Sequence, residues 1–444
     1  MEDEIRGLLA LYADDFARVG GIRVQSERKD EYCRIIRGCL TVSSLCYIGK
    51  ALHYFDGRAY VPTSRAEVAS AVINCLSDDM GIGASDLSRL GDIPYVVLDK
   101  KVKSPDVTKV SFLNVVYDIA TGKCLKFSPD YFTAYALPYK FDAKGECPGW
   151  LRFLSEVLPD AAMQACLQEF FGMCFVDRQK YSIEKFALFV GKGANGKSVV
   201  CEVIKAVLGG DSWVDNLSPD QLQDPKQVVS LNGKVLNIAP DVRRGAAFDS
   251  ALKALSSSQV VKGWAMYKGS QEVKCPPLAF ALNELPVFRD TTFGFFRRIM
   301  LFSFNYTVPE EKQDKQLASR LVATEASGIF KWIMAGRARL IANGGQFTPC
   351  PAMDQARTAM EGRVKTEQSP VLQYLETAGW SVSPQYAGQT PDRVTATQIY
   401  EGMEAAVSKY NITHELRRYG VMSERGKEVR YLLYKNNQYG EQND

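Results

Sequence analysis

The stretch FALFVGKGANGKSVVCEVIKAV, residues 186–207, decides the fold of this chain. Five apolar residues, Phe186 to Val190, predict a short buried strand, and the apolar positions from Val199 to Val207 recur at the spacing of one helical face. Between them GKGANGKS matches GxxxxGK[ST], the phosphate loop, in the strand–loop–helix context that this motif requires. Its glycines let backbone N–H groups turn towards phosphate oxygens, and the helix adds the positive end of its dipole. The chain is therefore predicted to bind a nucleotide.

The residues of this loop have distinct predicted roles. Lys197 is expected to reach the β- and γ-phosphates, and the Ser198 hydroxyl is expected to ligate Mg²⁺. ATP and Mg²⁺ are therefore the expected cofactors. The predicted nucleotide contacts are Gly191, Gly193, Ala194, Asn195, Gly196, Lys197, Ser198 and Val199.

The composition describes an ordinary protein with sizeable apolar cores. Of its 444 residues 46% are hydrophobic and 24% charged, and the net charge of +3 means that any DNA-binding surface must be local. No apolar run approaches the roughly 20 residues of a membrane span, and the N-terminus is unlike a secretory signal, so a cytoplasmic location in a bacterial host is expected. The 11 cysteines and two histidines contain no CxxC pair, which favours packed, reduced thiols over a zinc site.

The order of predicted elements divides the chain into three parts. Residues 1–147 are predicted to form an α+β accessory domain, helical to about residue 85 apart from a hairpin in ALHYFDGRAYVP, and β-rich from YVVLD onwards. Residues 148–365 are predicted to form a helical collar and then alternating strands and helices, which implies a mostly parallel sheet. Residues 366–444 end in a β-ribbon after several helices, the pattern of a winged-helix-like domain. The expected fold class is therefore α/β, with a phosphate-loop ATPase core between these two flanking parts.

Polar residues follow the later apolar strands of the core. Asp241 comes after VLNIA, where an acid can hold the water shell of Mg²⁺ or activate the attacking water. Asn283 ends the strand PLAFA and can orient that water, although an Asn there can also simply cap the strand. Arg297 and Arg298 precede the strand IMLF and are candidates for an arginine finger that reaches a neighbouring subunit, with surface salt bridges as the alternative.

Between Asp241 and Asn283 two short strands predict a basic β-hairpin. Aromatic rings at Trp264 and Tyr267 accompany the lysines, and such a loop can follow a single-stranded phosphate backbone. A solvated hairpin without a partner is the alternative. The candidate DNA-binding residues are Lys262, Tyr267, Lys268 and Lys274.

The ordered set FVGKGANGKS, VLNIAPD, a Lys-tipped hairpin, AFALNELP and FGFFRRIMLFSF resembles helicase superfamily 3, the primase–helicases of phages, mobile elements and poxviruses. The upstream stretch FLNVVYDIATGKCLKFSPDYFTAYALPYKFD is similar to that family's domain ahead of the ATPase. The resemblance implies an AAA+-like core, hexameric rings, ATP hydrolysis between subunits and 3′ to 5′ translocation on single-stranded DNA. It implies single-stranded and forked DNA as partners, together with a separate primase or polymerase.

The resemblance also assigns roles to matching positions. Lys197, Asp241 and Asn283 take the catalytic roles given above, and Arg298 matches the finger, with Arg297 as the second choice. Lys268 matches the hairpin tip in the DNA channel. Lys253 and, more weakly, Lys185 match contacts made to the shared nucleotide site.

Several positions depart from the family pattern. Asp241 is a single acid where the family often has Glu, so its metal-binding and base roles cannot be separated. The stretch LSSSQ stands where a Gly-acid pair is usual, and Val115 stands where Gly is frequent. The adjacent pair Asp78-Asp79 is predicted to lie in a loop, so no primase site is expected in the N-terminal part.

Three functions are compatible with these features. The first is a hexameric replicative helicase of a phage or mobile element. The second is a ring ATPase that acts as an initiator or DNA loader, because residues 407–435 carry seven Lys/Arg against three Glu. The third is a scaffold that binds ATP but barely hydrolyses it, which only Asp241 in place of Glu favours.

Overall fold

A computed structural model describes residues 1–23, 25–48, 51–82, 102–103, 108–243, 246–248, 250–257, 259–265, 269–288, 290, 292–381, 392–403, 407–418, 421, 423–425 and 429–435. The fold is mixed α/β, and the chain separates into two compact units. The first unit comprises Met1–Leu151, Glu202–Val214 and Gln316–Ala338. The second comprises Arg152–Cys201, Asp215–Lys315 and Arg339–Asp444.

The first unit begins with helices that pack on a small sheet. The strands follow the order β3-β2-β1-β4, and the hairpin predicted in ALHYFDGRAYVP is confirmed as the antiparallel pair β2–β3, with Gly57 at φ +97° in its turn. Apolar residues such as Ile36, Leu40 and Val72 form the core beneath this sheet. The elements are α1 (Glu2–Ala10), α2 (Ala13–Gly20), α3 (Gln25–Val42), β1 (Cys46–Ile48), β2 (Ala51–Phe55), β3 (Tyr60–Thr63), α4 (Arg65–Met80) and β4 (Val102–Lys103).

The prediction that Asp78 and Asp79 lie in a loop is wrong. Both belong to the last turn of α4, which ends at Met80 and is capped by Gly81 in the left-handed conformation. Asp79 forms an ion pair with Arg6 at 2.6 Å. The stretch YVVLD, residues 95–99, lies outside the described residues.

A second, three-stranded sheet of the first unit is built around aromatic side chains. Its order is β5-β6-β7, with β5 at Lys109–Ser111, β6 at Val116–Asp118 and β7 at Cys124–Leu125. The rings of Phe112, Phe141 and Phe330 contact one another within this unit, with centroids 5.0 to 6.4 Å apart. Phe330 belongs to α11 (Leu317–Ala342), so this long helix contributes an apolar side chain to the aromatic cluster.

A five-stranded sheet forms the centre of the second unit, in the order β16-β8-β14-β10-β9. The pairs β16–β8, β8–β14 and β14–β10 are parallel, which confirms the parallel sheet predicted from the alternating pattern. Its strands are short and buried on both faces, as parallel strands covered by helices are. They are β8 (Phe186–Val190), β9 (Val214–Asp215), β10 (Leu236–Ala239), β14 (Leu278–Leu282) and β16 (Ile299–Ser303).

Helices and two small ribbons surround this sheet. One ribbon is the antiparallel hairpin β12–β13, and the other is the parallel pair β11–β15. The helices are α5 (Pro148–Val157), α6 (Ala161–Gly172), α7 (Lys197–Val207), α8 (Pro225–Val228), α9 (Ser250–Ser256), α10 (Phe293–Phe296) and α12 (Pro351–Gln368). The short strands are β11 (Ala247–Phe248), β12 (Val260–Ala265), β13 (Gly269–Lys274) and β15 (Val287–Phe288), and single 3₁₀ turns lie at Pro129–Tyr131, Met173–Phe175, Gly210–Ser212, Gln221–Gln223, Val229–Leu231 and Glu310–Lys312.

The C-terminal part of the second unit has its own apolar cluster, with Leu372, Ile412 and Tyr431 among its members. The strand predicted in EVRYLLYK is confirmed as β20, which pairs with β17, β18 and β19. The elements are α13 (Pro370–Thr377), β17 (Trp380–Ser381), β18 (Asp392–Thr395), α14 (Ala396–Gly402), α15 (Lys409–Arg418), β19 (Ser423–Arg425) and β20 (Val429–Lys435).

Within the described residues, the length and apolarity needed to cross a membrane are found in none of the helices.

Candidate nucleotide site

The carboxyl edge of the core sheet brings together residues that are distant in sequence. Val190 stands opposite Leu282 on β14 and opposite Ser303 on β16. Because these strands are parallel, the residues that follow them meet at one edge, where α/β proteins bind ligands. The phosphate loop, Asn283 and Phe304 therefore lie side by side.

The loop backbone adopts a conformation that depends on its glycines. Gly193 and Gly196 have φ of +98° and +85°, and Ala194 is also left-handed at +46°. A Cβ on Gly191 would lie 2.1 Å from Nδ2 of Asn195, and one on Gly196 would contact two side chains within 3 Å. These close approaches fix the loop shape and explain the glycines of the motif.

The loop is also tied to the segment after β16. Asn195 is buried, and its Nδ2 donates to the Phe304 carbonyl at 3.0 Å. The Val308 N–H donates to the Ala194 carbonyl at 2.7 Å. These two hydrogen bonds fix the loop to the residues that follow β16.

Lys197 is directed inward at the start of α7. Its Nζ donates to the Gly191 carbonyl at 2.5 Å, to Oδ1 of Asn195 at 2.9 Å and to Oδ1 of Asn283 at 3.3 Å. The residue is only 5% exposed, and this burial lowers the pKa of Lys197 below its usual value, while the Asp241 carboxylate acts in the opposite direction. The structure thus places Asn283 and Asp241 near Lys197, and their roles at a phosphate stay predictions.

The groups predicted to hold Mg²⁺ lie beside this lysine. Ser198 is exposed in the first turn of α7, and Asp241 is exposed just after β10. In the part of the chain that the structure describes, no three His, Cys, Asp or Glu side chains group closely enough to hold a metal by themselves. One hydroxyl and one carboxylate fit Mg²⁺, which protein sites hold through few side chains together with phosphate oxygens and water.

A cavity of about 590 Å³ opens at the same edge. Three of its walls are formed by the segments that follow β8, β14 and β16, and the fourth comes from α12. Its size lies within the range of ligand pockets. The lining residues are Val190, Gly191, Lys192, Asn283, Glu284, Leu285, Pro286, Ser303, Phe304, Asn305, Thr307, Arg363 and Val364.

The arginine pair lies at the opposite, amino edge of the sheet. The Arg298 carbonyl accepts from the Phe186 N–H at 2.9 Å, at the beginning of β8. Arg298 donates to Glu184 at 2.9 Å and to the Gly294 carbonyl, and Arg297 donates to the same carboxylate oxygen of Glu184. The Arg298 side chain is 8% exposed and that of Arg297 49%. In this structure, therefore, Arg297 is the more accessible of the two guanidinium groups.

The other two candidates for a shared site lie near this pair. Lys185 Nζ donates to the Arg297 carbonyl at 2.6 Å, and burial lowers the pKa of Lys185, as does the nearby Arg357 guanidinium. Lys253 lies close to Gly294, and its Nζ is 3.7 Å from a carboxylate oxygen of Asp290. The four basic candidates Lys185, Lys253, Arg297 and Arg298 thus gather at the amino edge.

The hairpin presents part of its predicted basic face. Lys262 and Lys274 are exposed on β12 and β13, with Glu272 paired opposite Lys262. Trp264 shares this face and is 52% exposed. Tyr267 and Lys268, at the predicted tip, lie outside the described residues.

Sequence reasoning missed two residues at these sites. Glu184, which binds both arginines, directly precedes Lys185, and an acid next to a core strand was the available signal. Arg363 lies in a polar helix far from every motif, and no local pattern marks its position beside the loop.

Comparison with known proteins gives two family matches along the chain. Residues 68–159 match the family described as D5 N terminal like, and residues 189–298 match a family of unknown function, DUF5906. A putative helicase of Acanthamoeba polyphaga mimivirus, L207/L206, is 24% identical over 213 residues, which is 44% of this chain and 21% of the viral protein. The chain thus aligns with about a fifth of that relative's length.

Two solved structures, both of the C-terminal region of NrS-1 without ligand, are also similar. One has 12% identity and a TM-score of 0.48, covering 88% of this chain and 95% of the other. The second has 11% identity and a TM-score of 0.47, covering 88% and 96%.

The two family matches fall on the segments whose motifs carry the resemblance found in the sequence. The D5-like match includes the stretch FLNVVYDIATGKCLKFSPDYFTAYALPYKFD, and the second match runs from the phosphate loop to the arginine pair. Two separate segments of this chain thus match the D5 N terminal like and DUF5906 families, and the chain is similar to a putative viral helicase.

Proposed function

We propose that this protein is an ATP-dependent DNA helicase that serves replication of a phage or mobile element. It acts as a homo-hexamer, hydrolyses ATP with Mg²⁺ at subunit interfaces, and translocates 3′ to 5′ on single-stranded DNA. Forked DNA and a separate primase or polymerase are its partners. The finer fold assignment belongs to the same proposal: an AAA+-like core, a helical collar formed by α5 and α6, and a C-terminal winged helix.

The observation that carries this proposal is the buried Lys197 beside Asn283 at the carboxyl edge of the sheet. Lys197 is poised to leave its protein oxygen acceptors for phosphate oxygens, which offer a stronger, charge-assisted bond. Asn283 and Asp241 then flank the terminal phosphate, where they can orient and activate water. Ser198 and Asp241 would hold Mg²⁺, which neutralises phosphate charge when bound.

The position of the arginine pair supports hydrolysis between subunits. β8 separates the two edges by about 13 Å at a rise of about 3.3 Å per residue. Arg298 bonds to the amino end of β8, whereas the loop begins at its carboxyl end. A finger at the amino edge therefore suits a nucleotide held by a neighbouring copy better than the one bound by its own loop. Lys185 and Lys253 lie on the same edge and would accompany it.

Unwinding of a tailed duplex tests the proposal. Wild type is expected to separate strands with ATP and Mg²⁺, and Lys197→Ala is expected to lose both unwinding and ATP hydrolysis. Lys205→Ala is the matched control, because Lys205 lies near the end of the same helix and pairs with Asp211 at 2.5 Å. DNA-stimulated hydrolysis by wild type without any strand separation would contradict the helicase proposal.

One observation favours the initiator or loader as a second candidate. The exposed face of α15 carries Lys409, Tyr410, His414 and Arg417, and Tyr410 is 77% exposed while its ring stacks on that of His414. In winged helices a basic helix followed by a β-ribbon is suited to a DNA groove.

Duplex binding by the full chain tests this candidate. Tyr410→Ala and Arg417→Ala are expected to weaken binding to duplex DNA. Arg393→Ala, which removes an exposed cation paired with Glu424 at 2.8 Å, is expected to change it little. Equal effects of all three substitutions would exclude a specific role for α15.

The scaffold reading predicts ATP binding without turnover. Hydrolysis in the presence of Mg²⁺ and single-stranded DNA, lost in Arg297→Ala or Arg298→Ala, would exclude it.

A further inference from the structure

The cavity at the phosphate loop has one wall that does not belong to any motif. Residues after three parallel strands form the other walls, but Arg363 and Val364 come from α12. No sequence motif marks this wall, because the sequence of α12 is that of an ordinary polar helix. Its contribution is a cation, Arg363, placed in the same cavity as Gly191, Lys192 and Asn283.

Packing of α12 on the sheet fixes where this cation stands. Met360 and Val364, one helical turn apart, are both buried in the apolar core that surrounds β8 and β14. The helix packs along β16, the strand whose following segment holds the phosphate loop. Arg363 directly precedes the buried Val364, so its backbone cannot move away without opening the core.

The charges of the cavity favour an anion at this place. Its ionisable lining residues are Lys192, Glu284 and Arg363, and Lys197 lies next to it through its bond to Asn283. The lining therefore carries two cations and one carboxylate, and with the neighbouring Lys197 and Asp241 the balance is three cations to two carboxylates. A planar guanidinium can donate two parallel N–H bonds to a phosphate group, which a lysine cannot do.

We propose that Arg363 is a nucleotide-binding residue that contacts the terminal phosphate of ATP bound to its own chain. This inference rests on the proposed function, since it requires that the loop binds ATP. It gives the terminal phosphate a second cation, from α12, in addition to Lys197. Because α12 leads directly into α13, the C-terminal part is connected to the helix that senses whether the terminal phosphate is present.

Equilibrium binding of fluorescent ATP and ADP analogues to the full chain tests the proposal. Arg363→Ala is expected to weaken binding of the ATP analogue by about tenfold or more, and that of the ADP analogue by clearly less. Arg363→Lys keeps the charge without the fork and is expected to fall between wild type and Arg363→Ala. Arg357→Ala is the matched control, since it removes an arginine of the same helix that pairs with Asp354 at 3.2 Å, and it should stay within about twofold of wild type.

The outcomes separate the inference from the proposed function. If wild type binds the ATP analogue and Arg363→Ala binds it equally well, the inference is wrong while the proposed function stands. Equal losses for ATP and ADP analogues would also overturn it, because they indicate a structural role for Arg363. If wild type binds neither analogue, the proposed function fails and the inference fails with it. Thermal melting of each variant without nucleotide shows whether the core is intact.

Discussion

Replacing Glu184 by alanine tests the arrangement at the amino edge of the core sheet. The Glu184 carboxylate is the acidic partner of both Arg297 and Arg298, and the two guanidinium groups share one of its oxygens. Arg298 is nearly buried, and its Nε has no hydrogen-bond partner among the described residues. The substitution therefore leaves a buried cation without its counter-ion, whereas Arg297 can turn into solvent.

The expected cost follows from this difference in burial. Removing one partner of a buried ion pair costs about 3–5 kcal/mol, and the 26% exposure of Glu184 places this case at about 3 kcal/mol. For a core of this size the melting temperature should fall by roughly 6–12 °C. Arg297→Ala, which removes a half-exposed partner, should cost about 1 kcal/mol or less.

Urea denaturation of the four proteins measures these values. Besides wild type and the two single variants, the double variant Glu184→Ala/Arg298→Met removes the stranded charge and should regain most of the lost free energy of unfolding. The reasoning is refuted if Glu184→Ala costs no more than Arg297→Ala. It is also refuted if the double variant is no more stable than Glu184→Ala.

Three further predictions concern the loop and the hairpin. Gly196→Ala should lose nucleotide binding and should destabilise the protein more than Gly233→Ala. Both glycines have left-handed φ, but only at Gly196 would a Cβ lie within 3 Å of neighbouring side chains. Equal melting temperatures of the two variants would contradict this. Burial lowers the pKa of Lys197 below its usual 10.5. The protonated form that binds phosphate should therefore be lost as pH rises through that lowered value, and ATP affinity should begin to fall before pH 10.5 is reached. A profile that stays flat up to pH 10.5 would count against it. Trp264→Ala should weaken binding of labelled single-stranded DNA by about 1–3 kcal/mol. Val260→Ala changes a residue of β12 that is about as exposed as Trp264, and it should leave this binding unchanged. Fluorescence anisotropy titrations with both variants test the prediction.

Local chemistry determined much of this protein from sequence alone. The phosphate loop, its flanking strand and helix, and the hairpin turn at Gly57 depend on residues that are neighbours in the chain, so glycine positions and apolar spacing were sufficient to predict them. The alternation of strands and helices predicted the parallel sheet, and the order of motifs carried the resemblance to a helicase family. Local reasoning failed at Asp78 and Asp79, because α4 continues to Met80 and is capped by Gly81.

Tertiary structure decided which of these residues act together. Strand register puts Asn283 beside Lys197, and it puts the arginine pair at the edge opposite the loop. Packing of α12 on β16 brings Arg363 to the loop, and the chain path before β8 brings Glu184 to the arginines. These contacts join distant segments, and they depend on which apolar faces exclude water together, a property that periodicity within one segment does not encode. The sequence therefore determined that the chain has a phosphate loop, and only the folded sheet decided which residues surround it.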